Sequence, residues 1–150
     1  MRMPLVAGLG LALLVAGCGG SGGNGGDNGG PGATGAATGA TRVEVTMTDR
    51  YSIRPSPMTV AAGVPVTFVV TNTGTLTHQF YVGDAAAQDA RDAEILASGG
   101  VGEDSPEGIV VPPGETKELT ITLQPGSLLA GCHIPQHYFR NMRATINVVE

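Results

Sequence analysis

The chain has 150 residues, 24 of them glycine and none of them tryptophan, with a formal net charge of −5 at neutral pH. Its eight Lys and Arg residues form no basic stripe and are outnumbered by 13 Asp and Glu residues, so nucleic acid is not an expected partner. The length predicts one domain, and the net charge favours a cationic or neutral protein as a partner.

The first 17 residues resemble a bacterial export signal. Arg2 gives a short cationic head, and residues 5–16 form an apolar run. A run of about 12 residues falls short of the roughly 20 that a transmembrane helix needs, so a membrane span is the weaker interpretation. Small residues directly before Cys18 resemble the lipobox of lipoproteins. This resemblance implies cleavage after residue 17, acylation of Cys18 and an extracytoplasmic protein anchored to a bacterial membrane.

Residues 18–41 form a predicted flexible linker. They are nearly all Gly, Ala, Thr, Asn and Ser, and such a composition buries too little apolar surface to offset the entropy of ordering. Cleavage after residue 17 would remove Arg2 and no acid, so the net charge of −5 would become −6. A disulfide between Cys18 and Cys132 is the alternative to acylation, because two cysteines in an exported chain permit one bridge.

The folded domain is predicted over residues 42–150. β-branched residues alternate with polar ones there, and turn residues recur at short intervals, as is typical of a β-sandwich or barrel. The predicted strands cover residues 43–47, 58–60, 64–71, 76–82, 109–111, 116–123, 127–132 and 143–149. The Ala-rich stretch 84–98 before Gly99-Gly100 predicts a short helix. The acidic residues from Asp84 to Glu107 form either a partner-docking face or an ordinary solvated surface.

Four residues have the chemistry of a metal site. Cys132, His137 and Met142 follow a Cys-x4-His-x4-Met spacing, and His78 lies on a separate predicted strand. One thiolate and two imidazoles, with a weak axial thioether, form the ligand field of a blue-copper electron-transfer site, whereas zinc more often takes several thiolates or three His and carboxylate ligands. The pattern therefore predicts one copper ion per chain.

Residues 42–150 resemble the cupredoxin family. The residues from Val60 to Asn72, leading to His78, look like the strand pair that ends in the family's first copper His. The ligand loop is similar to that of the auracyanin, rusticyanin and sulfocyanin branches. The resemblance implies an all-β, Greek-key β-sandwich of seven or eight strands with a short helical insertion. It also implies that the metal ligands are His78, Cys132, His137 and Met142.

Three positions depart from the family pattern. Family loops usually have Gly before the second His and often before the Met, where this chain has Gln136 and Asn141, and commonly Asn after the first His, where it has Gln79. Asn tolerates a positive φ better than most residues, so Asn141 suits its position better than Gln136 does.

His133 adjoins Cys132, and we expect it to face solvent or to lie just outside the ligands. Three histidines in total are too few for a second copper cluster, which argues against nitrite or oxygen reduction and against an enzyme. His137 is surrounded by apolar residues, namely Ile134, Pro135, Tyr138 and Phe139. The resemblance implies that a redox partner docks on them. The alternative is that they only pack within the loop.

The expected function is the transfer of single electrons between extracytoplasmic redox proteins by a monomer, with copper cycling between Cu(I) and Cu(II). The alternative is a copper carrier or chaperone that delivers copper to an oxidase. Carriers usually favour exposed Met- and His-rich sites, and this loop has few Met. A cupredoxin-fold interaction module without metal is a third possibility, which four intact candidate ligands disfavour.

Overall fold

The structure, a computed structural model, describes residues 41–100 and 102–150. The predicted signal peptide, Cys18 and the linker up to residue 40 lie outside the described residues.

The residues that the structure describes form nine strands in two sheets. The first sheet has the order β2-β1-β4-β7, with β1 Thr41–Thr48, β2 Ser52–Arg54, β4 Pro65–Asn72 and β7 Thr116–Thr122. The second has the order β3-β9-β8-β5-β6, with β3 Met58–Ala61, β9 Arg143–Val149, β8 Gly126–Gly131, β5 His78–Gly83 and β6 Gly108–Val111. All eight predicted strands correspond to one of these. The ninth, β2, was not predicted because three residues before a proline are too few to show an alternating pattern.

The core lies between the two sheets. Phe68 of β4 and Phe80 of β5 are both fully buried, and their ring centroids are 5.2 Å apart. In β9, Ala144, Ile146 and Val148 are buried while the intervening residues are not, which is the period-two pattern of a strand with one face toward a core. Each large apolar side chain buried in this way contributes about 1.5–3 kcal/mol, and together they hold the two sheets face to face.

The parallel pairing of β1 with β4 defines the two ends of the sandwich. Arg42 lies opposite Thr67, and Met47 lies opposite Asn72 at the other end. The buried Asn72 side chain donates to the backbone oxygens of Leu76 (2.7 Å) and Val111 (3.0 Å). These bonds fix the loop that carries the chain from the first sheet to β5 in the second. His78 therefore begins β5 at the Asn72 end of the molecule.

One α-helix, α1 (Ala85–Ala97), interrupts the strands where the sequence predicts it. The Asp84 side chain caps its start by accepting from the Ala87 backbone N–H at 2.8 Å, and Gly99 and Gly100 end it with φ values of +89° and +91°. Its buried side chains, Gln88, Arg91 and Ile95, face the second sheet. Among the described residues, no helix has the length and apolarity needed to cross a membrane.

Candidate metal centre

Three predicted ligands meet at one end of the sandwich. His78 begins β5, Cys132 directly follows β8, and His137 lies in the loop between β8 and β9. One donor atom from each lies within 4.8 Å of the other two. The His78 and His137 Nδ1 atoms are 3.3 Å apart, and Cys132 Sγ is 3.4 Å from His137 Nδ1. All three residues are buried, with His137 the most accessible at 7% exposure.

The donor set fits a copper ion. Nitrogen and sulfur ligands lie about 2.0–2.3 Å from a metal ion, so three donors in a trigonal plane are about 3.5 Å apart, close to the separations found here. One thiol and two imidazoles match the trigonal plane of a type 1 copper site, and no carboxylate joins them within the described residues. The site has the donors for one copper ion per chain.

Backbone hydrogen bonds curl the ligand loop. The Cys132 N–H donates to the Met142 oxygen, and the Met142 N–H donates to the His137 oxygen, both at 3.1 Å. Gln136 and Asn141 take positive φ values of +72° and +66°. Asn141 therefore adopts the left-handed conformation that its residue type tolerates. Gln136 adopts the left-handed conformation as well, although it stands where the family usually has Gly.

Hydrogen bonds outside the donors orient two of them. His78 Nε2 lies 3.2 Å from Asp49 Oδ1, which leaves Nδ1 directed toward the other donors. Asp49 is itself fixed, because its Oδ2 accepts from the Thr75 backbone N–H (2.7 Å) and hydroxyl (2.8 Å). The Gln79 backbone N–H donates to Cys132 Sγ at 3.3 Å. Such outer bonds set the ring orientation of a His ligand and tune a thiolate.

The protonation states of the donors suit metal binding. Burial lowers the pKa of His78, against the opposing effect of Asp49. Burial also lowers the pKa of His137, and His78 and Arg140 lower it further. Both imidazoles are thus neutral at pH 7 and have a lone pair for a metal. Burial raises the pKa of the Cys132 thiol to about 11, so binding of a metal ion must displace its proton.

Met142 lies on the same loop. Its side chain is fully buried, and its backbone is bonded to those of Cys132 and His137. It directly precedes β9, which pairs with β8, so both ends of the ligand loop are anchored in neighbouring strands. This position is compatible with the axial role predicted for it.

Two positions were expected for His133, facing solvent or just outside the ligands. The first is wrong. It is 1% exposed and packs under α1, where its Nε2 lies 2.7 Å from Gln88 Oε1 and its Nδ1 lies 3.3 Å from Asp92 Oδ1. Its ring stacks on Tyr138 with centroids 4.6 Å apart. The residue after Cys132 is therefore held by the helix and is not a member of the group of donors.

The helix also holds the residue after His78. With its amide oxygen oriented toward α1, the buried Gln79 side chain accepts from Arg91 Nη2 at 2.6 Å and from Nε at 3.2 Å. Gln88 donates from its amide to the backbone oxygens of Leu129 (2.9 Å) and Tyr81 (3.2 Å). The predicted helical insertion is thus a polar brace over the strands that carry His78 and Cys132.

The predicted docking residues divide into two groups. Phe139 is 80% exposed and Pro135 is exposed. Ile134 packs against the core, and Tyr138 stacks on His133, so these two also support the loop. Of the four, only Pro135 and Phe139 are exposed enough for a partner to reach, and docking on them stays a prediction.

Sequence reasoning missed Asp49, Gln88 and Tyr51. The Tyr51 ring makes an edge contact with the His137 ring, with centroids 5.1 Å apart. Each of the three lies far along the chain from the ligand loop, and none belongs to a motif, so no local pattern marks it.

The architecture matches solved structures of blue-copper proteins. Reduced auracyanin of Roseiflexus castenholzii superposes with a TM-score of 0.66 at 22% identity, over 75% of this chain and 99% of that one. Auracyanin A of Chloroflexus aurantiacus gives a TM-score of 0.60 at 24% identity, over 74% and 100% of the two chains. This chain has the cupredoxin fold. The fold that the resemblance implied is therefore confirmed for the described residues of both sheets.

Curated relatives of the chain are copper-resistant cuproproteins named CopI. The one from Pseudomonas aeruginosa is 29% identical over 136 residues, covering 71% of this chain and 75% of the relative. Those from Rubrivivax gelatinosus and Vibrio cholerae are 31% and 32% identical, and the chain spans 61% and 64% of their lengths. No protein-family model matches the chain.

Proposed function

We propose that this cupredoxin is an electron carrier that would use one type 1 copper ion, which His78, Cys132, His137 and Met142 would hold. The observation that carries the proposal is the convergence of three buried donors on rigid strand ends. A bound copper ion would cycle between Cu(I) and Cu(II), accepting one electron from a donor protein and passing it to an acceptor.

The chain's own residues support this role by limiting rearrangement. Asp49 fixes the His78 ring, the Gln79 N–H fixes the Cys132 sulfur, and the backbone of Met142 closes the loop on His137. Donors held in this way keep nearly the same arrangement in both oxidation states, which lowers the cost of electron transfer.

A copper carrier or chaperone is the second candidate, and the name of the CopI relatives favours it. Handing over an ion requires the acceptor's ligands to reach the metal. Cys132 and His78 are fully buried and His137 is 7% exposed, so little access exists for such an exchange. The burial of the donors therefore supports electron transfer over delivery.

The location is part of the proposal. The sequence before the domain favours export and a lipid anchor at Cys18, so we place the working domain outside the cytoplasm, among membrane-associated redox proteins. Mass spectrometry of the protein purified from bacterial membranes tests this directly: an acylated N-terminal Cys18 supports the anchor, and an intact residue 1–17 segment contradicts it.

Copper loading distinguishes the two functions. An electron carrier gives an intense blue thiolate-to-copper band and a reversible one-electron wave in voltammetry. A copper carrier gives colourless, tight Cu(I) binding and rapid transfer to a chelating acceptor. Cys132→Ser is the matched variant, and the blue band must disappear in it. Persistence of the band in Cys132→Ser would show that the metal is bound elsewhere.

A further inference from the structure

Positive charge is concentrated beside the metal centre. Four of the eight Lys and Arg residues of the chain line a single cleft of about 330 Å³. We call this the arginine cleft and define it by Arg50, Arg54, Arg140 and Arg143. The last two belong to the segment that carries His137 and Met142, and the first two flank the start and end of β2. The cleft therefore opens at the metal end of the sandwich, although the chain as a whole is acidic.

One aromatic ring connects the cleft to a copper ligand. Tyr51 lines the cleft, and its ring contacts the His137 ring at a centroid distance of 5.1 Å. The Arg140 guanidinium lies over the same Tyr51 ring, 4.9 Å from its centroid. A protein surface that occupies the cleft would thus be separated from the His137 imidazole by one side chain. This short path makes the cleft a suitable place for electrons to enter or leave.

The arginines of the cleft have no acidic partner in residues 41–100 and 102–150. No ion pair joins any of them to a carboxylate there, and Arg143 donates instead to the neutral Asn141 side chain at 2.9 Å. The other three described cations are each paired: Arg42 with Glu118, Arg91 with Glu94 and Lys117 with Asp104. Four unpaired like charges in one cleft repel one another, so the fold retains them at a cost.

Among the acidic residues, Asp49 lies at the metal end but is bonded to Thr75 and His78, and several of the others are engaged within the fold. Seven of the 13 Asp and Glu residues fall between residues 84 and 107. Four of these have internal roles, since Asp84 caps α1, Asp92 contacts His133, Glu94 pairs with Arg91, and Asp104 pairs with Lys117. This leaves the acidic segment a weaker candidate for docking than the arginine cleft.

We propose that the arginine cleft is the docking surface for a redox protein with an acidic face. Carboxylates on the partner would form the ion pairs that none of the four guanidiniums makes within the described residues. The inference rests on the proposed electron-transfer function and specifies the partner for it. It reverses the expectation from net charge, which favours a cationic partner, because the local field at the site of contact steers association.

Electron-transfer kinetics with two forms of one protein test the proposal. The probes are native cytochrome c, which has a cationic surface, and cytochrome c whose lysines have been succinylated, which has an anionic one. Stopped-flow rates with the copper-loaded full chain are measured over a series of salt concentrations. We expect the rate with the succinylated probe to fall as salt rises, and the combined Arg→Gln variant of all four positions to react about tenfold more slowly at low salt.

Single variants supply the controls. Arg54→Gln should lower the low-salt rate with the succinylated probe, and Arg54→Lys, which keeps the charge, should restore it. Arg42→Gln changes the net charge equally at the opposite end of the sandwich and should leave the rate unchanged. An unaltered blue band in every variant shows that the copper site and the fold are intact. The midpoint potential of each variant is measured as well, because Arg140 lies close to His137, and this separates a change in driving force from a change in docking.

Several results would overturn the proposal. The proposal would be refuted if the rate with the succinylated probe rose with salt and was the same in the Arg→Gln variants. Faster reaction with native cytochrome c than with the succinylated form would also refute it. A different outcome is that phosphatidylglycerol vesicles capture the wild type but not the Arg→Gln variant, while the electron-transfer rates do not depend on the arginines. That result would assign the cleft to a membrane surface. Loss of the reversible wave in the wild type would defeat the electron-transfer function itself, whereas an intact wave with these kinetics would defeat the docking proposal alone.

Discussion

Replacing Gln88 by Met should destabilise the domain because it removes the polar link between α1 and the strand that leads to Cys132. The Gln88 side chain is fully buried and has two amide hydrogens, which reach the Leu129 oxygen at 2.9 Å and the Tyr81 oxygen at 3.2 Å. Its own oxygen lies 2.7 Å from His133 Nε2. Three hydrogen bonds at about 1 kcal/mol each give an expected loss of about 3 kcal/mol. Met has a similar volume, so little of this loss would come from a cavity.

Urea unfolding of the metal-free protein measures the effect, and a melting temperature lower by about 10–20 °C should accompany it. Gln124→Met, at an exposed position, is the matched control and should change stability by less than about 0.5 kcal/mol. Combining Gln88→Met with His133→Phe in a double-mutant cycle isolates the contact between these two side chains, with an expected coupling of about 1 kcal/mol. A loss below about 1 kcal/mol for Gln88→Met would refute the view that α1 braces the metal-bearing strands.

Three further predictions concern the centre itself. Asp49→Asn weakens the support of the His78 ring and should lower copper affinity by about 10–100-fold in a chelator competition, whereas Glu44→Gln at the other end of β1 should not. Met142→Leu should keep the copper and raise its reduction potential, because loss of the thioether destabilises Cu(II). Voltammetry measures this shift. Met58 is a buried methionine of β3, and Met58→Leu should cause no shift. In the metal-free protein burial raises the pKa of the Cys132 thiol from 9.0 to about 11, so the unfolded chain loses this proton first. Stability should therefore fall as pH rises from 9.0 to 11, and it should fall by less in Cys132→Ser.

The sequence was sufficient for those parts of the molecule that leave a local pattern. Eight strands follow from alternation of β-branched and polar residues, and α1 follows from an Ala-rich stretch between Asp84 and Gly99. Three metal donors follow from their chemical types, since one thiol and two imidazoles are the donor set of a copper site.

Contacts between distant residues could not be predicted in this way. Asp49 precedes its partner His78 by 29 residues, and Gln88 precedes His133 by 45. An acid in a turn and a glutamine in a helix look the same in a sequence whether they face water or brace a buried ring. The two expectations for His133 could not be decided from the sequence for this reason, because packing against α1 and Tyr138 is what removes it from solvent. The concentration of arginines in one cleft likewise depends on bringing together residues 50–54 and 140–143.

The left-handed backbone at Gln136 has a consequence for how such proteins diversify. This conformation is less favourable for Gln than for Gly by roughly 1–2 kcal/mol. The loop nevertheless adopts it. Strands β8 and β9, rather than the preferences of the loop residues, therefore impose the path from Cys132 to Met142. A segment held in this manner is a replaceable module: its residues can be exchanged to alter the properties of the metal while the sandwich beneath stays as it is.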